Sequence, residues 1–365
     1  MKVTYSQKSD AFSAAEEIKT TFSDLNPKAV LFFASSHYDP SGISSAMKKA
    51  FPDAMVIGCS TSGEIVSGKM LKSSVVAMAL ESDIISGITS EVINLREPQS
   101  VSSSIIKASK QFESSPLDLD PRQYVGMILI DGLSCAEEHI MDKIGDLVNI
   151  PVVGGSAGDD LAFHKTWVYL DGDVFENSAI FTLIKPACRF DIIKTQSFCM
   201  MNKKLVPTSV DEQTRKVLEF NDKPAVIAYA EAIGVNASDA GSQFMTHPVG
   251  LISEGEPFVR SPQRIEGESI VFYCQILKGV DLEVLKSSDI IADTRRIIED
   301  KEKETGGIKG IVNFNCILRT LQLEQENKCD NYGQIFSKIP TIGFSTYGEE
   351  YIGHINQTAT MLIFY

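Results

Sequence analysis

Gly343-Phe344-Ser345-Thr346-Tyr347-Gly348-Glu349 opens the terminal stretch GFSTYGEEYIGHINQTATMLIFY, which runs to Tyr365. Far upstream, Gly58-Cys59-Ser60-Thr61-Ser62-Gly63-Glu64 fits the same pattern, G-x-S-T-x-G-E, and each copy follows a short apolar run. A looser version, Gly154-Gly155-Ser156-Ala157-Gly158-Asp159, follows Ile150-Pro151-Val152-Val153. A buried strand that ends in glycines and small hydroxyl residues marks a sharp backbone turn, where another backbone or a ligand approaches closely. The two ends of the chain use the same device.

Working outward, Ala29 to Ser35 (AVLFFAS) and Tyr124 to Ile130 (YVGMILI) are continuous apolar runs of strand length, as in central strands buried on both faces. Helical patterns over Pro40 to Ala50, Val101 to Phe112 and Ala136 to Val148 alternate with such strands. Later segments read mainly as successive strands, among them Phe244 to Ser253, Gly310 to Leu323 and Ile355 to Tyr365. This rhythm predicts an α/β (α+β) fold of two sandwich-like domains, mixed sheets covered by helices, with residues 1–200 in the first and 201–365 in the second. A length of 365 residues agrees with two cores. The net charge of −14 argues against a nucleic-acid or anionic-membrane surface, which needs clustered Lys and Arg. With no basic-then-apolar leader, no run of transmembrane length and seven scattered cysteines, a cytoplasmic location is expected.

The motifs GCSTSGEI, VVGGSAGDD, HPVGLISEGEPFVRS and GFSTYGEEYIGHINQT stand in the order found in FIST-domain proteins. The chain resembles that family over nearly all its length, an N-terminal FIST half followed by a C-terminal one. The resemblance implies a sensory module of signal transduction, without catalytic activity. Within the family the chain resembles a group that binds haem and senses nitric oxide, acting in trans on a histidine kinase or a cyclic-di-GMP enzyme. Haem b is the cofactor so implied.

Five histidines are available for such a role. His247 follows Phe244-Met245-Thr246 and precedes Pro248, a setting that suits a haem wall and a stiffened imidazole. It is the first choice of iron ligand, though it could equally end a strand and bond a turn carbonyl. His354 is the second choice. If Ile355 opens a strand, His354, Asn356 and Thr358 share one face and line a pocket or a polar network that joins the glycine motifs. Arg260, in an apolar strand, should meet a carboxylate, whether of the protein, of a haem propionate or of an amino acid. Arg319 invites the same reading.

Two other functions compete. In a haem-free sensor, Arg260 would hold a small carboxylate ligand such as an amino acid, with His354 and Asn356 fixing its polar groups. Alternatively, Gly154 to Gly158 matches G-x-S-x-G, the nucleophile elbow of serine hydrolases, with Ser156 as nucleophile. That elbow requires a helix after the serine, and Thr166 to Leu170 reads as a strand. A C-terminal strand at a sheet edge would offer a surface for a homodimer.

Overall fold

All seven residues of the strand Ala29–Ser35 are buried. The strand runs parallel to Met55–Thr61, and a parallel pair needs a crossover, usually a helix. Here it is Pro40–Ala50, started by Asp39, whose carboxylate accepts from Gly42 N at 2.6 Å, with proline in the first turn. The computed structural model describes residues 1–253 and 255–365, and in it this unit occurs twice more. Val125–Ile130 and Val152–Ser156 flank the helix Glu137–Leu147. Gly310–Cys316 and Thr341–Thr346 flank the helices Ile317–Gln325 and Cys329–Ile335.

Each parallel pair is completed into a six-stranded sheet with the same strand order. On the far side of the central strand lie a returning strand (Val75–Leu80, Ser178–Pro186 or Thr358–Phe364) and a leading strand (Lys2–Ser6, Ile85–Asn94 or Phe190–Gln196). On the other side lies a hairpin with a two-residue turn. In the first sheet it is Val168–Leu170 with Asp173–Phe175, and in the second Glu349–Tyr351 with His354–Ile355. In the third it is Glu64–Val66 with Lys69–Leu71. The hairpins are exchanged cyclically. The chain leaves the first sheet after Gly58 to Gly63 and pairs in the third. It leaves the second after Gly154 to Gly158 for the first, and the third after Gly343 to Gly348 for the second. The glycine motifs are the crossing points of a threefold repeat.

Alternate residues of each strand serve two cores. Leu31, Phe33 and Ile57 of the first sheet meet Met127, Leu129 and Val153 of the second and Val312, Phe314 and Phe344 of the third in one shared cluster. Val30, Phe32 and Ala34 face the other way, onto the helices. Phe33 and Phe344 approach to 4.5 Å between ring centroids, and Phe314 joins them.

The first glycine of every motif has one cause. Gly58, Gly154 and Gly343 stand in parallel register with Phe32, Ile128 and Asn313. A Cβ on them would lie 2.2, 1.9 and 2.2 Å from the carbonyl oxygens of those neighbours. No side chain fits against a fixed backbone at that separation.

Two compact units are present. Met1–Lys194, Arg295–His354 and Ala359–Tyr365 form the threefold unit, and Thr195–Thr294 with Ile355–Thr358 form the second. In chain order the second is an insertion into the third repeat. It holds a four-stranded sheet, Phe198–Leu205, Leu282–Ser287, Val249–Ser253 and Glu256–Arg260, and another built on Pro207–Asp211, Lys216–Phe220, Ser269–Phe272 and Pro262–Glu266. The helix Ala225–Ile233, ended by Gly234 in the left-handed region, packs Tyr229 with Phe220, Phe244 and Phe272.

The mixed α/β class holds, while the units differ from two consecutive stretches. The chain leaves the first unit at Lys194, near residue 200, but comes back at Arg295, because strands from the last third complete the sheets begun in the first. Gly310 to Leu323 is a strand only to Cys316. Ile317–Gln325 then forms a helix that buries Leu318, Arg319 and Leu323. Phe244 to Pro248 precedes its strand rather than belonging to it. The strand expected from Ile355 breaks at Asn356 and Gln357, where Gln357 takes φ 51°, and Thr358–Phe364 starts afresh. The C-terminal strand is not an edge, since it lies between Phe190–Gln196 and Gly310–Cys316. It therefore offers no open edge for a homodimer.

Alanine at Gly58, Gly154 or Gly343 is expected to destabilise the protein by about 3 kcal/mol or more, read by denaturant unfolding. Gly145→Ala, in a helix with nothing described within 4 Å of the added methyl, should be neutral or stabilising.

Candidate functional site

The three motifs meet in the first unit. Gly158 N donates to Ser60 O at 3.0 Å, Ser345 N to Gly63 O at 2.8 Å and Ser156 N to Gly348 O at 2.9 Å. The two close copies repeat a side-chain bond as well. Thr61 Oγ1 donates to Glu64 Oε1 at 2.5 Å, and Thr346 Oγ1 to Glu349 Oε1 at 2.5 Å. Both carboxylates are buried. Burial pushes the Glu64 carboxyl up to about 7, against the opposing hydrogen bonds from Ser74 and Thr61. The looser motif has Ala157 where the others have threonine. Its Asp159 instead accepts from His164 N at 2.7 Å, Lys165 N at 3.0 Å and the Tyr347 hydroxyl. Here the motifs tie three sheets together. These bonds are made by the motifs' own residues with Ser74, His164 and Lys165, and do not include His354, Asn356 or Thr358.

His354 belongs to a second cluster in the same unit. Its Nδ1 lies 3.1 Å from Glu350 Oε1, and Ser156 Oγ reaches Glu350 Oε1 at 3.4 Å and Glu137 Oε1 at 3.3 Å. All four side chains are buried, and Glu350 Oε2 has no hydrogen-bond partner among the described residues. Burial works against a charged imidazole, but Glu350, Glu137 and Glu138 outweigh it and raise His354 to about 9. Burial likewise raises the Glu350 carboxyl. A protonated imidazole has no lone pair for a metal. Ser156 is fully buried with its hydroxyl between two carboxylates, and no helix follows it before the strand Val168–Leu170. This is not the geometry of a raised nucleophile.

The remaining residues lie in the second unit. His247 is half-buried, and both its backbone groups are clamped. Its N–H donates to Gln243 O at 2.7 Å, and its carbonyl accepts from the buried Tyr229 hydroxyl at 2.7 Å. Burial and the charge of Lys286 lower its pKa, so the ring is neutral at neutral pH. Thr246 Oγ1 lies 3.3 Å from Gln243 O, to which it donates, and 3.0 Å from His247 Nδ1. When the hydroxyl proton goes to Gln243 O, the hydroxyl receives Nδ1–H and the lone pair is on Nε2; when it goes to Nδ1, Nε2 carries the proton. Arg260 is the cross-strand partner of Val249, and its guanidinium lies 3.4 Å from Val259 O. Asn356 and Thr358 are buried, 1% and 0% exposed.

Sequence reasoning missed three contributors. Gln357 donates to Met245 O at 2.7 Å and accepts from Ser261 Oγ at 2.8 Å, which holds the loop before His247 to the link between the strands Glu256–Arg260 and Pro262–Glu266. Its place in H-x-N-Q-T was the available signal. Thr246 could have been found as the hydroxyl neighbour of the histidine. Glu137, at the start of a helix remote in sequence, gave no signal. Arg319, buried in its helix, donates Nε to Asn315 Oδ1 at 3.0 Å rather than lining a ligand strand.

A family model of the FIST N domain matches residues 28–223, and one of the FIST C domain matches residues 225–351. The chain belongs to the FIST family, whose domains are sensory and signalling modules. It is similar to an uncharacterized protein of Methanocaldococcus jannaschii, 26% identical over 322 residues that take in 80% of this chain. The match spans 60% of that relative's length. No helix among the described residues is long and apolar enough to cross a membrane.

Glu64 carries a further consequence. Its folded pKa exceeds that of an unfolded glutamate, so the folded state binds the extra proton and stability falls as pH rises from about 4.5 to about 7. The loss is on the order of 3 kcal/mol. Glu64→Gln should flatten that slope in urea midpoints measured between pH 5 and 8. An unchanged slope would show that Glu64 ionises normally.

Proposed function

We propose that the protein is a non-catalytic sensor that holds haem b on His247 and detects nitric oxide, with output in trans to a histidine kinase or a cyclic-di-GMP enzyme. The observation that carries this reading is the setting of His247, a half-buried neutral imidazole with Thr246 Oγ1 3.0 Å from Nδ1. Burial and the charge of Lys286 keep the ring neutral, and with Thr246 accepting Nδ1–H, Nε2 would ligate. His354, the alternative ligand, is fully enclosed and held protonated by Glu350. Haem bound there would supply an iron centre for a diatomic gas. The backbone at His247 is held on both sides. A displacement of the His247 backbone would strain its bonds to Gln243 and to Tyr229 on its helix, and would reach Val249–Ser253 two residues on. Arg260 stands across from Val249 in that hairpin, and its guanidinium is the group type that would pair with a propionate. The haem-free carboxylate sensor is less favoured, because His354 and Asn356 would have to reach a ligand from 3% and 1% exposure.

Absorption spectra of protein grown with a haem supply test this reading. A Soret band that shifts when the reduced protein meets nitric oxide is expected in wild type and in His354→Gln, and is lost in His247→Ala. Thr246→Val should weaken haem affinity by about 10- to 100-fold. Absence of the band from wild type, or its survival in His247→Ala, would overturn the assignment.

A further inference from the structure

The threefold repeat supplies an internal comparison for each position of the first unit. In the first sheet the hairpin turn Asp171-Gly172 is closed against the helix Pro40–Ala50. Ser44 Oγ donates to Asp173 O at 2.9 Å, Lys48 Nζ meets Asp171 Oδ1 at 2.8 Å, and a Cβ on Gly172 would touch Lys48 Cβ at 3.2 Å. In the third sheet the turn Ser67-Gly68 is closed against Cys329–Ile335. Gln334 Nε2 donates to Gly68 O at 3.1 Å, and a Cβ on Gly333 would lie 2.8 Å from the Lys69 backbone.

The second sheet departs from both. Its turn is Ile352-Gly353 and its helix Glu137–Leu147, yet a Cβ on Gly353 or on Gly145 would meet nothing described within 4 Å. Counted from the first residue of each 11-residue helix, Gly145 takes the place of Lys48. Between this helix and the turn lies a cavity of about 350 Å3, with Gly145 in its lining. Met141, Ile144, Gly145 and Val148 line one wall, and Tyr351 and Ile352 the other. Asn149 adds an amide, and among the described residues no charged side chain lines the space. Ile352 sits at the rim 77% exposed with φ 62°, a costly conformation for a β-branched residue. At the same turn position the first sheet uses Asp171, a residue type that tolerates it.

The departure continues beneath the turn. Opposite the first glycine of each motif stand Tyr169, Ile65 and Glu350. Two repeats fill that position with an apolar body, and the repeat with the cavity fills it with a buried carboxylate. Folding alone does not require either feature, since the same topology closes without them twice.

We propose that this cavity is a second ligand site, taking a neutral, mostly apolar small molecule with one hydrogen-bonding group to meet Asn149. Its size falls within the range of small-molecule pockets, and the lack of lining charge selects against ions. The site stands apart from the His247 reading and does not depend on it.

Indole is the probe, followed through the isoleucine methyl signals of the full chain by NMR. Saturable shifts are expected at Ile144, Ile150 and Ile352, unchanged in His247→Ala. They should vanish in Gly145→Leu, which fills the space from an exposed helix position, and in Gly145→Lys, which copies the first repeat. Both variants should unfold at the wild-type temperature or above. Three results would overturn the proposal. These are no saturable shift in wild type, shifts that persist in both folded variants, and the same shifts appearing on concentration of the protein without indole. The last would place a second copy in the cavity.

Discussion

The fold depends on the close approach of three glycines to the carbonyls of their parallel neighbours. At Gly58, Gly154 and Gly343 the strands come so near that no Cβ is tolerated, and immediately beyond each contact the chain crosses to another sheet. Each sheet is therefore completed by a hairpin from a different repeat. None of the three can close its edge alone, so their formation is coupled, with strands from opposite ends of the chain side by side. Such long-range pairing is slow to assemble and cooperative once formed.

At these crossings the structure buries carboxylates, which is costly unless hydrogen bonds or protons compensate. Glu64 and Glu349 are each met by the threonine three residues earlier, a local solution repeated in both close copies of the motif. Glu350 is met instead by an imidazole drawn from the next strand, which traps a charge that ordinary histidine would lose. The chemistry that makes His354 a good partner for a carboxylate makes it a poor iron ligand.

His247 has the opposite environment. A neighbouring cation and partial burial keep it neutral, and a threonine hydroxyl orients it. The two histidines differ in burial, His247 half-buried and His354 enclosed, and in the sign of the charge folded next to them.

The sequence by itself determined the central strands, the helices at Pro40–Ala50, Ser100–Lys110 and Glu137–Leu147 and the motif glycines, because period, proline position and small-residue turns are local properties. It also singled out His247, Arg260 and the H-x-N-Q-T run. Only the tertiary structure decided that the sheets form three matched sets. The periods of Ala29–Ser35, Val125–Ile130 and Gly310–Cys316 say nothing of which distant hairpin will close each sheet. The break at Asn356 and Gln357 was hidden for the same reason. Gln357 gives up the strand conformation for two hydrogen bonds to residues about a hundred positions away, and no local propensity records such a partner.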